Sequence, residues 1–231
     1  MKKVERKFWI GIDLGWREKK TTGICVLDYN PPSTLPAKGW APNKKIVLSK
    51  DVFGRDVLKT INPYLKDTEV IAIDAPLTKG RGKGKMRLYE KFLSTSIFRK
   101  GKVNPLPPAL MPKLCETAKE VVEKLEKKGF VLGINLIETF PTLVKKICSQ
   151  NSLILQRSGL CQTENQKSAL ICAQVAFLHS QFKTRWLGYK DGFLFLPEIS
   201  FWKKDWREKF YQAWRNRPYL KYRRLITNLF K

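Results

Sequence analysis

Three apolar segments of strand length each end in an acidic residue, and this pattern restricts the possible folds more than any other feature of the chain. The acids are Asp13 (in GID), Asp74 (in AID) and Glu138 (in LIE), and Gly or Pro follows each within three residues. In an α/β sheet, functional sites are built where strands end. The pattern therefore predicts one site holding all three carboxylates, although three independent strand-end turns would leave the same motifs.

The first of these segments opens a predicted hairpin in residues 8–28. Phe8 to Ile12 form an aromatic and β-branched run, and Gly15 with the polar REKK sequence supplies a turn. Ile24 to Leu27 are predicted to form the returning strand. Asp13 is accordingly expected beside the turn, either as a site residue or as a hydrogen-bonded structural aspartate.

The rest of the chain alternates predicted strands with predicted helices, which indicates one large α/β domain within 231 residues. Further strands are expected at 46–49, 70–73, 131–137 and 193–198. Helices are expected at 52–66, 86–93, 113–128, 142–148 and 164–182, and Gly129 is expected to close the third of them.

Basic residues dominate the charge of the chain, which has a formal net charge of +25. They concentrate in residues 79–102 and 199–231 instead of being spread evenly. A surface of this kind attracts polyanions, and nucleic acid is the polyanion that it favours most. An anionic membrane surface and a compositional bias of the source are the competing interpretations.

Other classes of protein are less compatible with the composition. No apolar run reaches the length that spans a bilayer, and the basic N-terminus leads into a strand instead of a signal-peptide core, so we expect no membrane span and a cytoplasmic location. Five cysteines without close pairing predict reduced thiols. His179 is the single histidine, which excludes chemistry that needs several.

Three converging carboxylates would repel one another unless cations bridged them. Carboxylate oxygens are hard ligands that favour Mg²⁺ or Mn²⁺. Two such ions can activate water and stabilise the leaving oxygen during phosphodiester cleavage. The sequence thus predicts a two-ion magnesium or manganese site, with Asp13, Asp74 and Glu138 as metal ligands and catalytic residues.

The order of several motifs resembles one family. GIDLG, AIDAPL, IETFP, a late helix with ALICA, and LGYKDGFLFLPE together resemble the domain of unknown function 429 family, over residues 8–198. Its members are predicted nucleases, and the resemblance implies an RNase H-like fold, a mixed sheet flanked by helices. It also implies that Asp13, Asp74 and Glu138 match three acidic site positions, and that Arg87 and Glu90 match an Arg and acidic pair of uncertain role.

One position departs from the family pattern. The late helix of the family commonly carries an Asp immediately before the Ala-Leu pair, where this chain has Ser168. A hydroxyl is a poor replacement for a carboxylate as a metal ligand. Glu164 lies four residues earlier on the same helical face and is predicted to reach the metal in its place, although an acid at a helix N-terminus is also favoured by the helix dipole alone.

The chain is expected to comprise an RNase H-like domain at 1–198, with a basic insertion near 78–112, and a basic aromatic helical extension at 199–231. Aromatic residues recur every four positions from Trp202 in the extension, which favours a face packed on the domain. The alternative is an aromatic face that stacks on the bases of a single strand. The residues expected to contact nucleic acid are Lys79, Arg81, Lys83, Lys85, Arg87, Arg207, Trp214 and Arg215.

These observations predict a metal-dependent nuclease that cleaves phosphodiester bonds. A nucleic-acid-binding protein of the same fold with weakened catalysis is the first alternative, because of Ser168. The GIDLG sequence followed by Thr21 and Thr22 also resembles the first phosphate segment of actin-like kinases and ATPases. Those folds need two similar halves, and a second half is not visible in this sequence.

Overall fold

A mixed five-stranded sheet lies at the centre of the protein, in a computed structural model that describes residues 6–29, 44–78, 86–149, 160–217 and 223–230. The strand order is β3-β2-β1-β4-β5. The first three strands are antiparallel neighbours, and β4 and β5 run parallel to β1. The strands are β1 (Lys7–Asp13), β2 (Thr22–Tyr29), β3 (Lys44–Val52), β4 (Thr68–Asp74) and β5 (Leu136–Glu138).

Both faces of this sheet are covered, which explains why its central strands are almost continuously apolar. On β1, Ile10 and Ile12 belong to one buried cluster and Trp9 belongs to another. Helix α6 (Glu164–Ser180) packs on the Trp9 face, and α1 (Val57–Ile61) and α4 (Pro112–Glu126) cover the opposite face. The protein is therefore a mixed α/β structure with a mixed sheet flanked by helices.

Gly11 allows α6 to approach the sheet closely. A Cβ atom built on Gly11 would lie 2.0 Å from the carbonyl oxygen of Ala169 and 2.2 Å from the amide nitrogen of Ala173. Any larger residue would push the helix away from β1. The N-terminal part of α6 thereby sits beside the strand end that carries Asp13.

A second, three-stranded sheet packs beside the first, in the order β7-β6-β8. Its strands are β6 (Thr184–Tyr189), β7 (Gly192–Pro197) and β8 (Ile226–Thr227). The Thr139 hydroxyl donates a hydrogen bond of 3.0 Å to the carbonyl of Phe195, which joins this sheet to the end of β5. Only β7 was expected from the sequence.

The remaining helices are short, apart from the C-terminal one. They are α2 (Leu88–Leu93), α3 (Ser96–Lys100), α5 (Pro141–Ile147) and α7 (Lys204–Arg215). Trp206 and Phe210 of α7 are buried in the same cluster as Phe92 and Phe98. The packing interpretation of the aromatic face is therefore confirmed, and the extension shares its core with the preceding residues.

Two sequence predictions were too simple. The strand expected at 131–137 is only three residues long, because residues 131–135 form a turn in which Gly133 has a φ of +84°. The helix expected at 52–66 is a 3₁₀ turn, then α1, then a second 3₁₀ segment that includes Pro63. By contrast, α4 does end just before Gly129, whose φ is +90°. Within the described ranges, no helix has the length and apolar character needed to cross a bilayer.

Candidate active site

The register of the central strands places Asp13 and Asp74 side by side. Asp13 pairs with Asp74 across β1 and β4, and Gly11 pairs with Ala72 two positions earlier. Strand residues two positions apart share a face of the sheet. Asp13 and Asp74 therefore lie on the same face as Gly11 and Ala72, the face that packs on α6. Glu138 lies on the next strand, in register with Ile73.

A cleft of about 350 Å³ opens at this edge of the sheet. Asp13, Asp74 and Glu138 all line it, so the structure brings the three strand-end acids to one site. One part of the lining comes from α2 and the residue before it, and another part comes from the segment leading into α4. The wall residues include Arg87, Tyr89 and Glu90 in the first part, and Lys102, Asn104, Pro105, Leu106, Met111 and Leu114 in the second.

The surroundings of Asp13 and Asp74 disfavour the charged form of both carboxyl groups. Burial raises the pKa of Asp13 to about 7, with a further increase from the charge of Asp51, while a hydrogen bond from Ser168 and the charge of Lys145 oppose it. Burial, then the charges of Asp13 and Glu138, raise the pKa of Asp74 well above its usual value. Neither acid forms a salt bridge with a residue that the structure describes. Two adjacent carboxylates in this state form a strong potential site for a cation.

The donor set fits one hard divalent ion. Mg²⁺ is commonly held by one or two carboxylates, with water and substrate phosphates completing its coordination. Asp13 and Asp74 supply that pair. Among the residues that the structure describes, no group of three or more His, Cys, Asp or Glu side chains is arranged to hold a metal.

Hydrogen bonds already occupy the carboxylate oxygens of Glu138, which corrects its predicted role as a metal ligand. Its Oε1 accepts hydrogen bonds from Arg87 at 2.8 Å and from the Tyr89 hydroxyl. Its Oε2 accepts bonds from Arg87 at 2.7 Å and from the amide of Leu77 at 3.0 Å. Four donors occupy the lone pairs of this carboxylate. Glu138 therefore anchors the wall of the cleft.

Arg87 is the centre of that wall, and its predicted contact with nucleic acid is also corrected. The residue is only 1% exposed. All five guanidinium donors are used, two toward Glu138, two toward Glu90 and one toward Thr78. A guanidinium in this state has no donor left for a phosphate. The Arg and acidic pair thus joins α2 to the end of β5.

Ser168 occupies the position next to Asp13 on α6. Its hydroxyl hydrogen-bonds to the Asp13 carboxylate and lowers the pKa of that group. Glu164, one turn earlier, has 73% of its side chain exposed and pairs with Lys167 at 2.7 Å and with Lys145 at 3.4 Å. The structure does not bring Glu164 to the acid pair, because its carboxylate meets these two surface lysines.

The other residues expected to contact nucleic acid differ in their positions. Arg207 and Arg215 are exposed on α7. Trp214 is packed against other side chains and is only partly exposed, because its ring contacts Phe92 and Phe230 and the Arg217 guanidinium lies 3.7 Å from its centre. The four basic residues predicted in the preceding loop lie outside the described residues, namely Lys79, Arg81, Lys83 and Lys85.

Sequence reasoning missed three residues of the site. Tyr89 donates to Glu138, Asp51 raises the pKa of Asp13, and Lys145 lowers it. Tyr89 could have been suspected from its place between Arg87 and Glu90. Asp51 lies at the end of a strand with an ordinary polar pattern, and Lys145 belongs to a helix with several lysines, so neither carried a local signal.

Comparisons of the chain with protein-family models, curated proteins and solved structures give no match.

Proposed function

We propose that this protein is a metal-dependent nuclease of RNase H-like fold that hydrolyses phosphodiester bonds at the Asp13 and Asp74 pair. The observation that carries the proposal is the register of these two acids on adjacent parallel strands, in a cleft, with neither acid in a salt bridge to a described residue. Purely structural acids are normally paired when buried, and the hydrogen bond from Ser168 does not offset the effect of burial on the pKa of Asp13.

The architecture supports the fold assignment. A mixed sheet flanked by helices agrees with the RNase H-like fold that the motif order implies. Two of the acids end the neighbouring central strands β1 and β4, and the third, Glu138, ends β5. This arrangement puts the candidate centre on the rigid core of the molecule, where side chains are held most accurately.

Each residue of the centre has a separate task. When bound by Asp13 and Asp74, Mg²⁺ or Mn²⁺ supplies charge neutralisation of the phosphate and a lowered pKa for water. The Ser168 hydroxyl orients the Asp13 carboxylate through its hydrogen bond. Arg87, Glu138 and Tyr89 hold the wall of the cleft in place. Exposed cations of the surface, including Arg207 and Arg215, attract the polyanionic substrate.

Cleavage assays test the proposal. Labelled single-stranded, duplex, hybrid and branched nucleic acids are incubated with Mn²⁺ and with the wild type or Asp74→Asn. We expect cleavage of at least one substrate by the wild type and a loss of about 100-fold or more in the variant, because removal of a metal-binding carboxylate removes charge stabilisation in the transition state.

A matched control separates the site from general charge effects. Glu123 lies on α4 with 54% of its side chain exposed and pairs with Lys119 at the surface. Glu123→Gln removes the same kind of charge and should leave cleavage unchanged. Cleavage that persists in Asp74→Asn, or is equally lost in Glu123→Gln, would contradict the proposal.

Ser168 and the occupied Glu138 favour a second candidate, a nucleic-acid-binding protein of the same fold with weakened catalysis. Both residues leave the acid pair with fewer ligands than the resemblance implies. Tight, salt-dependent binding of nucleic acid by both the wild type and Asp74→Asn, without cleavage in Mn²⁺, would support this second function.

A further inference from the structure

An exposed tryptophan lies in the turn that follows Asp13. Trp16 follows Asp13 by three residues, and 40% of its surface is exposed. Lys113 lies 5.8 Å from the ring centre, and the residue after it, Leu114, lines the cleft. The indole therefore lies in the β1–β2 turn and contacts the start of α4, and both segments contribute a residue to the lining of the cleft, Leu14 and Leu114.

The backbone that carries Trp16 is held firmly. The Trp16 carbonyl accepts hydrogen bonds from the amides of Lys19 and Gly54, each at 3.2 Å. A Cβ atom on Gly54 would lie 2.8 Å from the same carbonyl, so this close contact needs glycine. The amide of Gly15 donates to the Thr22 hydroxyl at 2.9 Å. An exposed ring on a fixed turn loses little conformational freedom on binding a ligand.

A neighbouring contact fixes the turn to α4. The Arg17 guanidinium donates to Glu120 at 2.5 Å. Trp16 is thus held between two elements that both border the cleft. Hydrophobic burial does not explain this arrangement of Trp16, because 40% of the residue remains exposed.

Two cations flank the ring. The Lys19 ammonium lies 4.4 Å from the ring centre and the Lys113 ammonium lies at 5.8 Å. Neither lysine forms a salt bridge within the described ranges. An aromatic face with adjacent unneutralised cations matches a nucleobase with its flanking phosphates, the combination that single-strand-binding proteins use.

We propose that Trp16, with Lys19 and Lys113, forms a stacking subsite for one unpaired base of a single-stranded nucleic acid entering the cleft. The inference rests on the proposed function and narrows it, because it assigns single-stranded segments as the substrate class. Paired bases do not offer a free face to the indole, so intact duplex gains little from this subsite.

Equilibrium binding of labelled single-stranded and blunt duplex oligonucleotides, in EDTA to prevent metal-dependent cleavage, tests the subsite. We expect Trp16→Ala to weaken single-strand binding about tenfold and to change duplex binding by less than about twofold. Trp16→Phe keeps an aromatic face and should recover most of the affinity. Lys19→Gln and Lys113→Gln should each reduce the slope of log affinity against log salt by about one.

Phe182 provides a matched control. It is 89% exposed and follows the end of α6, whose Ser180 contacts Trp9 near the start of β1, so it lies at the end of the sheet away from the acids. Phe182→Ala should leave binding unchanged. Thermal melting of each variant verifies folding, and Trp16→Phe with the lysine variants carries the test if Trp16→Ala does not fold.

The outcomes separate the subsite from the nuclease proposal. Wild-type affinity for single strands in Trp16→Ala, or equal weakening by Phe182→Ala, overturns the subsite even if the protein cleaves nucleic acid. Binding that depends on Trp16 in a protein that never cleaves supports the subsite and contradicts the nuclease. A wild type with no affinity for any oligonucleotide overturns both.

Discussion

At the residue scale, the centre depends on the cost of holding Asp13 and Asp74 together. Burial raises the pKa of both acids, with a further increase from the charge of Asp51 for Asp13 and from the charges of Asp13 and Glu138 for Asp74, so the folded protein without metal favours their protonated forms. Active sites commonly keep such unfavourable groups because the ligand, absent from the apoprotein, relieves the strain. The stability of the metal-free protein should therefore respond to pH and to charge removal at these positions.

The first prediction concerns Asp13. Its folded pKa of about 7 lies above the ordinary value of 3.8, so the stability that this group contributes is complete below about pH 4 and is lost as the pH rises through 7. Asp13→Asn should raise the free energy of unfolding in EDTA at pH 8 by about 1 to 3 kcal/mol and leave it nearly unchanged at pH 4. Urea unfolding at both pH values measures the difference, and equal effects at the two would contradict the assignment.

Ser168 gives a second prediction at this scale. Ser168→Asp places a third carboxylate beside Asp13, which should destabilise the metal-free protein but strengthen the binding of Mn²⁺. We expect at least a tenfold lower dissociation constant for Mn²⁺, by calorimetry, and faster cleavage if the protein is a nuclease. Ser168→Asn introduces a side chain of the same size as Asp but without its charge. This variant is the control and should not strengthen metal binding.

At the scale of elements, the buried Arg87 network connects α2, β5 and the second sheet. Arg87 bonds to Glu138 at the end of β5, and the Leu88 amide donates to Asp191 in the β6–β7 turn at 3.0 Å. The Thr78 hydroxyl, which accepts from Arg87, donates to the carbonyl of the same Asp191. The wall of the cleft is thus a structural joint, and its charges are compensated internally.

This joint leads to the third prediction. Arg87→Met leaves Glu90 and Glu138 buried without their partner and should cost about 3 to 5 kcal/mol of stability. Adding Glu90→Gln and Glu138→Gln should recover a large part of that loss, since the uncompensated charges are removed. Chemical denaturation of the single and combined variants measures the coupling. Additive losses would show that the three side chains do not act as one network.

At the scale of the whole molecule, one core extends from the sheet into the C-terminal helix. Phe210 contacts the rings of Phe98 and Trp202 at centre distances of 4.7 and 4.6 Å, and all three residues are buried. Gly101, directly after α3, also lies close to α7, since a Cβ atom built on Gly101 would lie 2.5 Å from the Trp206 ring. Helix α7 therefore contributes to the stability of the cleft wall that α2 forms.

The fourth prediction tests this dependence. Phe210→Ala should destabilise the protein by about 3 to 5 kcal/mol, because a fully buried ring is lost from a closely packed core. Tyr211→Ala changes the next residue, which is 45% exposed, and should cost about 1 kcal/mol or less. Thermal and urea unfolding compare the two. Similar small effects would mean that α7 is only loosely attached.

Local patterns were sufficient for the features that depend on one element. The apolar runs placed β1, β2 and β4, the helical periodicity placed α4 and α6, and the four-residue spacing of aromatic residues indicated the buried face of α7. The acids at the ends of three strands also predicted their common cleft. These features follow from burial and side-chain direction, which repeat along a strand or helix.

Only the tertiary structure decided what each polar side chain does. Glu138 and Arg87 are 51 residues apart in the sequence. Local patterns do not show that the Arg87 guanidinium donates hydrogen bonds to the Glu138 carboxylate, which had been predicted to bind metal. The same reason applies to Glu164, whose carboxylate pairs with two lysines, and to Trp16, which stays exposed although Lys113 of α4 lies near its ring. Periodicity determines which face of an element a residue occupies, whereas the partner of a long or charged side chain depends on distant elements that meet only in the folded protein.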